Sequence, residues 1–265
     1  MATNIANVAN VVLIADILDS ARRDRIAIAK VTLAHPELTI QDGYAIQREL
    51  CRRRLAEGEA VAGYKMGLTS PAKMQQMGVT SPIYGVLFAS TRVAEGGAVR
   101  VQELIHPMVE PEVAFRLGSP LRGPECTLEQ VLAATEALFP AIEIIDSRYQ
   151  RYEFDLPSVI ADNTSAGRFV IGTAGVPASG INLTALGVVL EKNGEIVAQG
   201  NSAAVLGNPA LSVAKLANML AEDGRELPRG SVIMSGGITA AVAVQPGDKV
   251  VCRIDTLGAT SVSFM

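Results

Sequence analysis
The sequence is poor in the residues on which several kinds of chemistry depend. It has three cysteines, Cys51, Cys126 and Cys252, spaced too widely for a zinc knuckle or a CxxC redox pair, and they read as reduced core thiols of a cytoplasmic protein. Two histidines, His35 and His106, leave no pair for a zincin helix or a His-based zinc site. No GxSxG elbow precedes a helix signal, so a nucleophilic serine has no motif to sit in. Basic residues fall short of acidic ones, 23 against 27, which gives a net charge of −4 and no positive field for nucleic acid. No apolar run approaches the ~20 residues of a membrane span, and the run Val8–Leu18 lacks a basic flank and contains Asn10 and Asp16. Catalysis, if present, falls to carboxylates.

What is present is a chain of 265 residues, 49% hydrophobic and 19% charged, enough for a substantial core. The spacing predicts an amphipathic helix from Val8 to about Arg23. A second, opened by the Thr39/Asp42 capping pattern and ended by Gly58, carries Arg52-Arg53-Arg54 as a solvated face. VAGYKMGL from Val61 reads as a strand, and Ser70-Pro71 opens a short helix closed by Gly78. PIYGVLFAS, MVEPEVAFRL and PAIEIIDSR read as strands, with a helix from Thr127 to Leu138 between the last two. Asn193-Gly194 is a hairpin turn, a helix covers about Asn208–Glu222, and the tail reads as consecutive short strands. The class is α+β, with a helical region over residues 1–78 and a β-rich catalytic domain over 79–265.

Three glutamates stand out. Glu110 and Glu112 occupy positions i and i+2 of a strand and so share one face, where they repel unless a cation lies between them. Pro111 between them favours a sheet edge, and a solvated edge is the plainer explanation. Glu143 interrupts the apolar stretch around Phe139–Ile145, where an unpaired carboxylate costs several kcal/mol. A salt bridge to Arg148 or Lys65 would explain it; so would an all-oxygen site for a hard divalent ion shared with Glu110 and Glu112. Lys65 lies in a glycine-flanked apolar strand, where it either snorkels to water or meets a substrate carboxylate. Gly236-Gly237-Ile238-Thr239 is an ordinary glycine turn, or a backbone cradle with a hydroxyl beside it.

Taken together, KMGLTS with Lys65, HPMVEPEVAF, EIIDSR, ADNTSAG with Ser165, and SGGITAAV resemble the fumarylacetoacetate hydrolase superfamily, in its hydratase and decarboxylase group, from about Leu38 to Met265. The resemblance implies a mixed β-sheet roll with a helical N-terminal cap. It implies one Mg²⁺ (or Mn²⁺) on Glu110, Glu112 and Glu143 and an active-site Lys65; Ile83, Ser165, Gly237 and Thr239, and Arg148 by motif proximity, are the residues expected around the substrate. Hydratases of the group carry Pro-Asp-aromatic-Gly where this chain has Pro82-Ile83-Tyr84-Gly85, so the acid that hydration would use is missing. The expected activity is therefore metal-dependent decarboxylation of a small 2-oxo dicarboxylate, 2-oxohex-3-enedioate, in aromatic meta-cleavage catabolism; hydration of 2-hydroxypenta-2,4-dienoate is the alternative. A homo-oligomer and a complex with a cognate hydratase are the expected partners.

Overall fold
The structure is a computed structural model that describes residues 5–265. The helices are α1 Ile5–Asp24, α2 Ile40–Ala56, α3 Pro71–Gln76, α4 Leu128–Ala134, α5 Leu156–Ala161 and α6 Pro209–Glu222. The strands are β1 Val61–Gly67, β2 Ile83–Phe88, β3 Arg92–Val93, β4 Ala98–Val99, β5 Met108–Leu117, β6 Thr135–Ile145 and β7 Ala166–Ile171. They continue with β8 Gly187–Lys192, β9 Glu195–Asn201, β10 Val232–Met234, β11 Val242–Ala243, β12 Lys249–Ile254 and β13 Gly258–Phe264. No helix is long and apolar enough to cross a membrane among the described residues.

Two mixed sheets make the roll. The larger runs β2-β1-β10-β5-β6-β7-β3, with β11 also on β5; the smaller runs β4-β13-β12-β8-β9. Register shifts in the β1/β2, β5/β6 and β6/β7 ladders increase the local twist. The large sheet curls until β2 and β7 approach each other beside the turn 163–165. Alternation then sorts the side chains. Tyr64, Met66, Val113, Phe115, Leu138 and Ile142 face α6 and the second sheet in the main core. Leu87, Ala114, Phe139, Ala141, Phe169 and Met234 fill the inside of the curl. Truncating a fully buried ring such as Phe115 to alanine would cost about 3–5 kcal/mol.

The helix starts follow their caps. The Thr39 side chain accepts from the Asp42 amide while the Asp42 carboxylate accepts from the Thr39 amide, a reciprocal arrangement worth ~1 kcal/mol. Asn208 caps α6 with Pro209 behind it. Through Ile14, Leu18 and Ile46, α1 and α2 pack around Tyr149 and Ala161.

Several expectations need correction. The helix expected over Thr127–Leu138 stops at Ala134, and Thr135 opens β6, because the ladder to β5 claims residues from 135 onward. Pro111 lies inside the sheet, not at its edge. Its carbonyl accepts from Ile238, so its missing N–H faces the gap between β10 and β11, where no ladder bond is lost. The arginine run is not simply a solvated face: Arg54 lies 3.8 Å over the Phe88 ring, and Arg53 joins Asp16 to Glu49. The strand expected from Val61 forms as β1 and pairs with both β2 and β10.

Candidate active site
On β5 the alternation that sends Val113 and Phe115 to the main core turns Glu110 and Glu112 into the curl, and the register sets Glu143 of β6 directly opposite Glu110. Carboxylate oxygens of all three lie within 4.8 Å of one another. Glu112 and Glu143 are fully buried, and Glu110 is 7% exposed. On β1, with Tyr64 and Met66 committed to the core, Lys65 points to the same side and is 3% exposed. Its Nζ forms an ion pair with Glu143 Oε2 at 3.0 Å and donates to the Thr164 carbonyl at 3.0 Å.

Lys65 leaves Glu112 and Glu143 short of partners. Glu112 Oε1 and both oxygens of Glu143 have no hydrogen-bond partner, although Glu112 Oε2 accepts from the Gly236 amide at 2.7 Å. Burial, then the neighbouring Glu143 charge, pushes the Glu112 carboxyl well above its ordinary value; burial also raises Glu143 against the pull of Lys65. Burial pulls Lys65 down, but the carboxylates outweigh it, so its pKa is raised and it stays charged. Orphaned oxygens in a cluster of this density suit a hard divalent cation, which Glu110, Glu112 and Glu143 could hold. At Gly237 a Cβ would come within 2.7 Å of the Glu110 carboxyl carbon, so a larger residue there would displace that carboxylate.

The far side of Lys65 is built by Asn163, Thr164 and Ser165, three consecutive non-glycine residues with φ of 50°, 53° and 56°. Each left-handed residue costs about 1–2 kcal/mol, so the turn persists only because its surroundings hold it. The Asn163 amide accepts from Val86 N–H at 2.7 Å and donates to Val86 O at 2.9 Å, while Thr164 Oγ1 donates to Tyr84 O. Ser165 Oγ is buried and unpartnered.

These groups open into a cavity of about 710 Å³. Lys65, Glu110, Ile83, Ser165 and Gly67 line its inner part, and Gly237 lies behind Glu110. The outer wall consists of residues that sequence reasoning missed, Ile28, Lys30 and Leu33 facing Gln150–Phe154. No local signal marks them; a parallel bridge between Ile28 and Tyr149 brings the two segments together. Two expected substrate contacts are corrected. The Thr239 hydroxyl donates to the Ala240 carbonyl and its methyl packs against Gly200, away from the cavity. Arg148 is buried outside the cavity, its guanidinium donating to the Asp162 carboxylate and carbonyl and to the carbonyls of Asp146 and Ala166.

Residues 57–264 match the family model described as fumarylacetoacetate (FAA) hydrolase C-terminal. The chain belongs to the fumarylacetoacetate hydrolase family. Within that family it is 50% identical over 255 residues to 4-oxalocrotonate decarboxylase of Pseudomonas sp. (strain CF600), covering 96% of this chain and 97% of the relative. To 2-keto-4-pentenoate hydratase 1 of Dechloromonas aromatica (strain RCB) it is 40% identical, over 91% of this chain and 89% of the relative. A solved family structure, 4-oxalocrotonate decarboxylase from Pseudomonas putida G7 complexed with magnesium and adipate, superposes with a TM-score of 0.94 at 47% identity, covering 97% of this chain and 98% of that one.

Proposed function
We propose that this chain is a carboxy-lyase that converts 2-oxohex-3-enedioate (4-oxalocrotonate) into 2-hydroxypenta-2,4-dienoate and CO₂ with a divalent cation. The observation that carries this is the buried Glu110, Glu112 and Glu143 cluster beside Lys65, at the inner end of a cavity where Ile83 stands instead of an acid. Near-full-length identity to a decarboxylase and to a magnesium-bound decarboxylase structure supports it.

Glu110, Glu112 and Glu143 would hold one Mg²⁺ (or Mn²⁺), which when bound supplies Lewis-acid stabilisation of negative charge on the substrate's C2 oxygen. The substrate is a vinylogous β-keto acid: as CO₂ leaves, the electron pair of the C5–C6 bond forms C4=C5, the C3=C4 pair moves to C2=C3 and the carbonyl pair to the C2 oxygen, which takes a proton from solvent to give the 2-hydroxydienoate. Lys65, kept protonated by its neighbours, binds the C1 carboxylate or the C2 oxygen and stabilises the charge that develops there. Ser165 offers a hydroxyl with no protein partner to the same end of the substrate. Ile83 gives the departing carboxylate an apolar wall, which favours its loss as neutral CO₂.

The residues over 1–78 act as a helical cap region that also supplies Lys65 on β1, and those over 79–265 as the catalytic domain. The reading places the protein in the cytoplasm, in aromatic meta-cleavage catabolism. It is a homo-oligomer that contacts a cognate hydratase; the exposed Val8, Val12, Leu13 and Ile17 of α1 support an assembly. The deciding experiment measures CO₂ release from 2-oxohex-3-enedioate with and without Mg²⁺, beside hydration of 2-hydroxypenta-2,4-dienoate. Metal-dependent CO₂ release is expected. Hydration alone would favour the second reading, a hydratase, for which the 40% identical relative speaks.

A further inference from the structure
The cavity explains Lys65, the glutamates, Ile83 and Ser165, but not Arg148, a fully engaged arginine buried behind them. Its bonds have a pattern. Nε and Nη2 donate to the carboxylate and the carbonyl of Asp162, and Nη1 donates to the Ala166 carbonyl at 3.1 Å and the Asp146 carbonyl at 2.7 Å. Asp162 and Ala166 are the residues on either side of the left-handed turn Asn163–Ser165. One rigid guanidinium therefore grips both ends of a strained turn and ties it to the end of β6, the strand that carries Glu143. The turn's middle carbonyl, Thr164 O, accepts from Lys65 Nζ, and its last residue, Ser165, lines the cavity.

We propose that Arg148 is a positioning residue: by clamping Asp162 to Ala166 it holds the turn that fixes the Lys65 ammonium beside Glu143. The inference rests on Lys65 serving the proposed reaction. Lysine at 148 keeps the charge opposite Asp162 but loses the planar fork, so it cannot reach Asp162, Asp146 and Ala166 together.

The test compares Arg148→Lys, Lys65→Met and the double variant in the full chain with Mg²⁺. Arg148→Lys should lower kcat roughly 10- to 100-fold, the scale of a misplaced reacting group, with KM changed far less. The double variant should be no slower than Lys65→Met alone, because both changes remove one positioned ammonium. Amide hydrogen exchange, which needs no turnover, should quicken at Ser165, whose N–H bonds to Asp162 O, and stay unchanged in β5. Should Arg148→Lys fail to fold, Asp162→Asn loosens the same grip with less loss of volume and is held to the same criteria. Full kcat in a folded Arg148→Lys variant, or losses in the two single variants that multiply in the double, would overturn the inference. A fully active Lys65→Met would overturn the reading of Lys65 first, so the two failures are told apart.

Discussion
Two buried ionic clusters lie on opposite sides of the turn at 163–165, and they are built on different terms. Around Arg148, Asp162 is matched by the guanidinium, and the Asp146 carboxylate accepts from the amides of Ile105 and His106 at 2.8–3.0 Å. Around Lys65, which pairs with Glu143, one oxygen of Glu112 and both of Glu143 have no hydrogen-bond partner. The side chains of both clusters are buried, so burial does not separate structure from function here. Saturation does: a polar group that has been given every bond it needs holds the fold, and one left short is prepared for something else to bind.

The comparison can be broken most severely at the unsaturated cluster. Glu143→Gln should lower Mg²⁺-dependent CO₂ release on the order of 1,000-fold, the scale of losing several kcal/mol of charge stabilisation, and weaken Mg²⁺ binding measured by calorimetry. Stability should then separate the clusters by sign. Arg148→Met, which strands Asp162, should destabilise the chain by ~3–5 kcal/mol in urea melts, whereas Glu112→Gln without metal should raise the urea midpoint.

A pH series sharpens the contrast. With Glu112 and Glu143 raised, the native state binds more protons than the unfolded state above the ordinary carboxylate value of 4.5. The stability conferred by those protons is therefore present at low pH and lost as pH rises through the raised values. The metal-free wild type should lose stability relative to Glu112→Gln over that window, and added Mg²⁺ should remove the difference. The smallest effect belongs to the surface. The Arg52 hydrogen bond lowers Glu49 to about 2, so its contribution is lost only as pH falls below 4.5 toward that value, and Arg52→Ala should leave the urea midpoint almost unchanged.

The unsaturated cluster was the more legible of the two in the sequence. Carboxylates at i and i+2 of a strand, a third inside an apolar run and a lysine between glycines each break a local rule, and broken rules show in one dimension. Of the explanations offered for Glu143, the Lys65 salt bridge is present, and the same carboxylate lies within 4.8 Å of Glu110 and Glu112. Arg148 was misread because its partners depend on how the end of β6 meets the residues after α5, which spacing does not encode. The helix after Thr127 was overextended for a similar reason: its periodic pattern continues into residues that the β5 ladder claims. The outer wall of the cavity left no trace, since Ile28–Leu33 and Gln150–Phe154 carry no unusual residue.

The Asn163 side chain has a consequence beyond catalysis. The strand β2 ends the order of the large sheet, and an end strand offers bare backbone to any other extended chain. Here the Asn163 amide takes both polar groups of Val86, and Gln47 and Thr164 both donate to Tyr84 O. At Tyr84 and Val86 the margin of the roll is thus occupied by side chains, so the turn beside the candidate active site also leaves no bare backbone there for another strand to pair with.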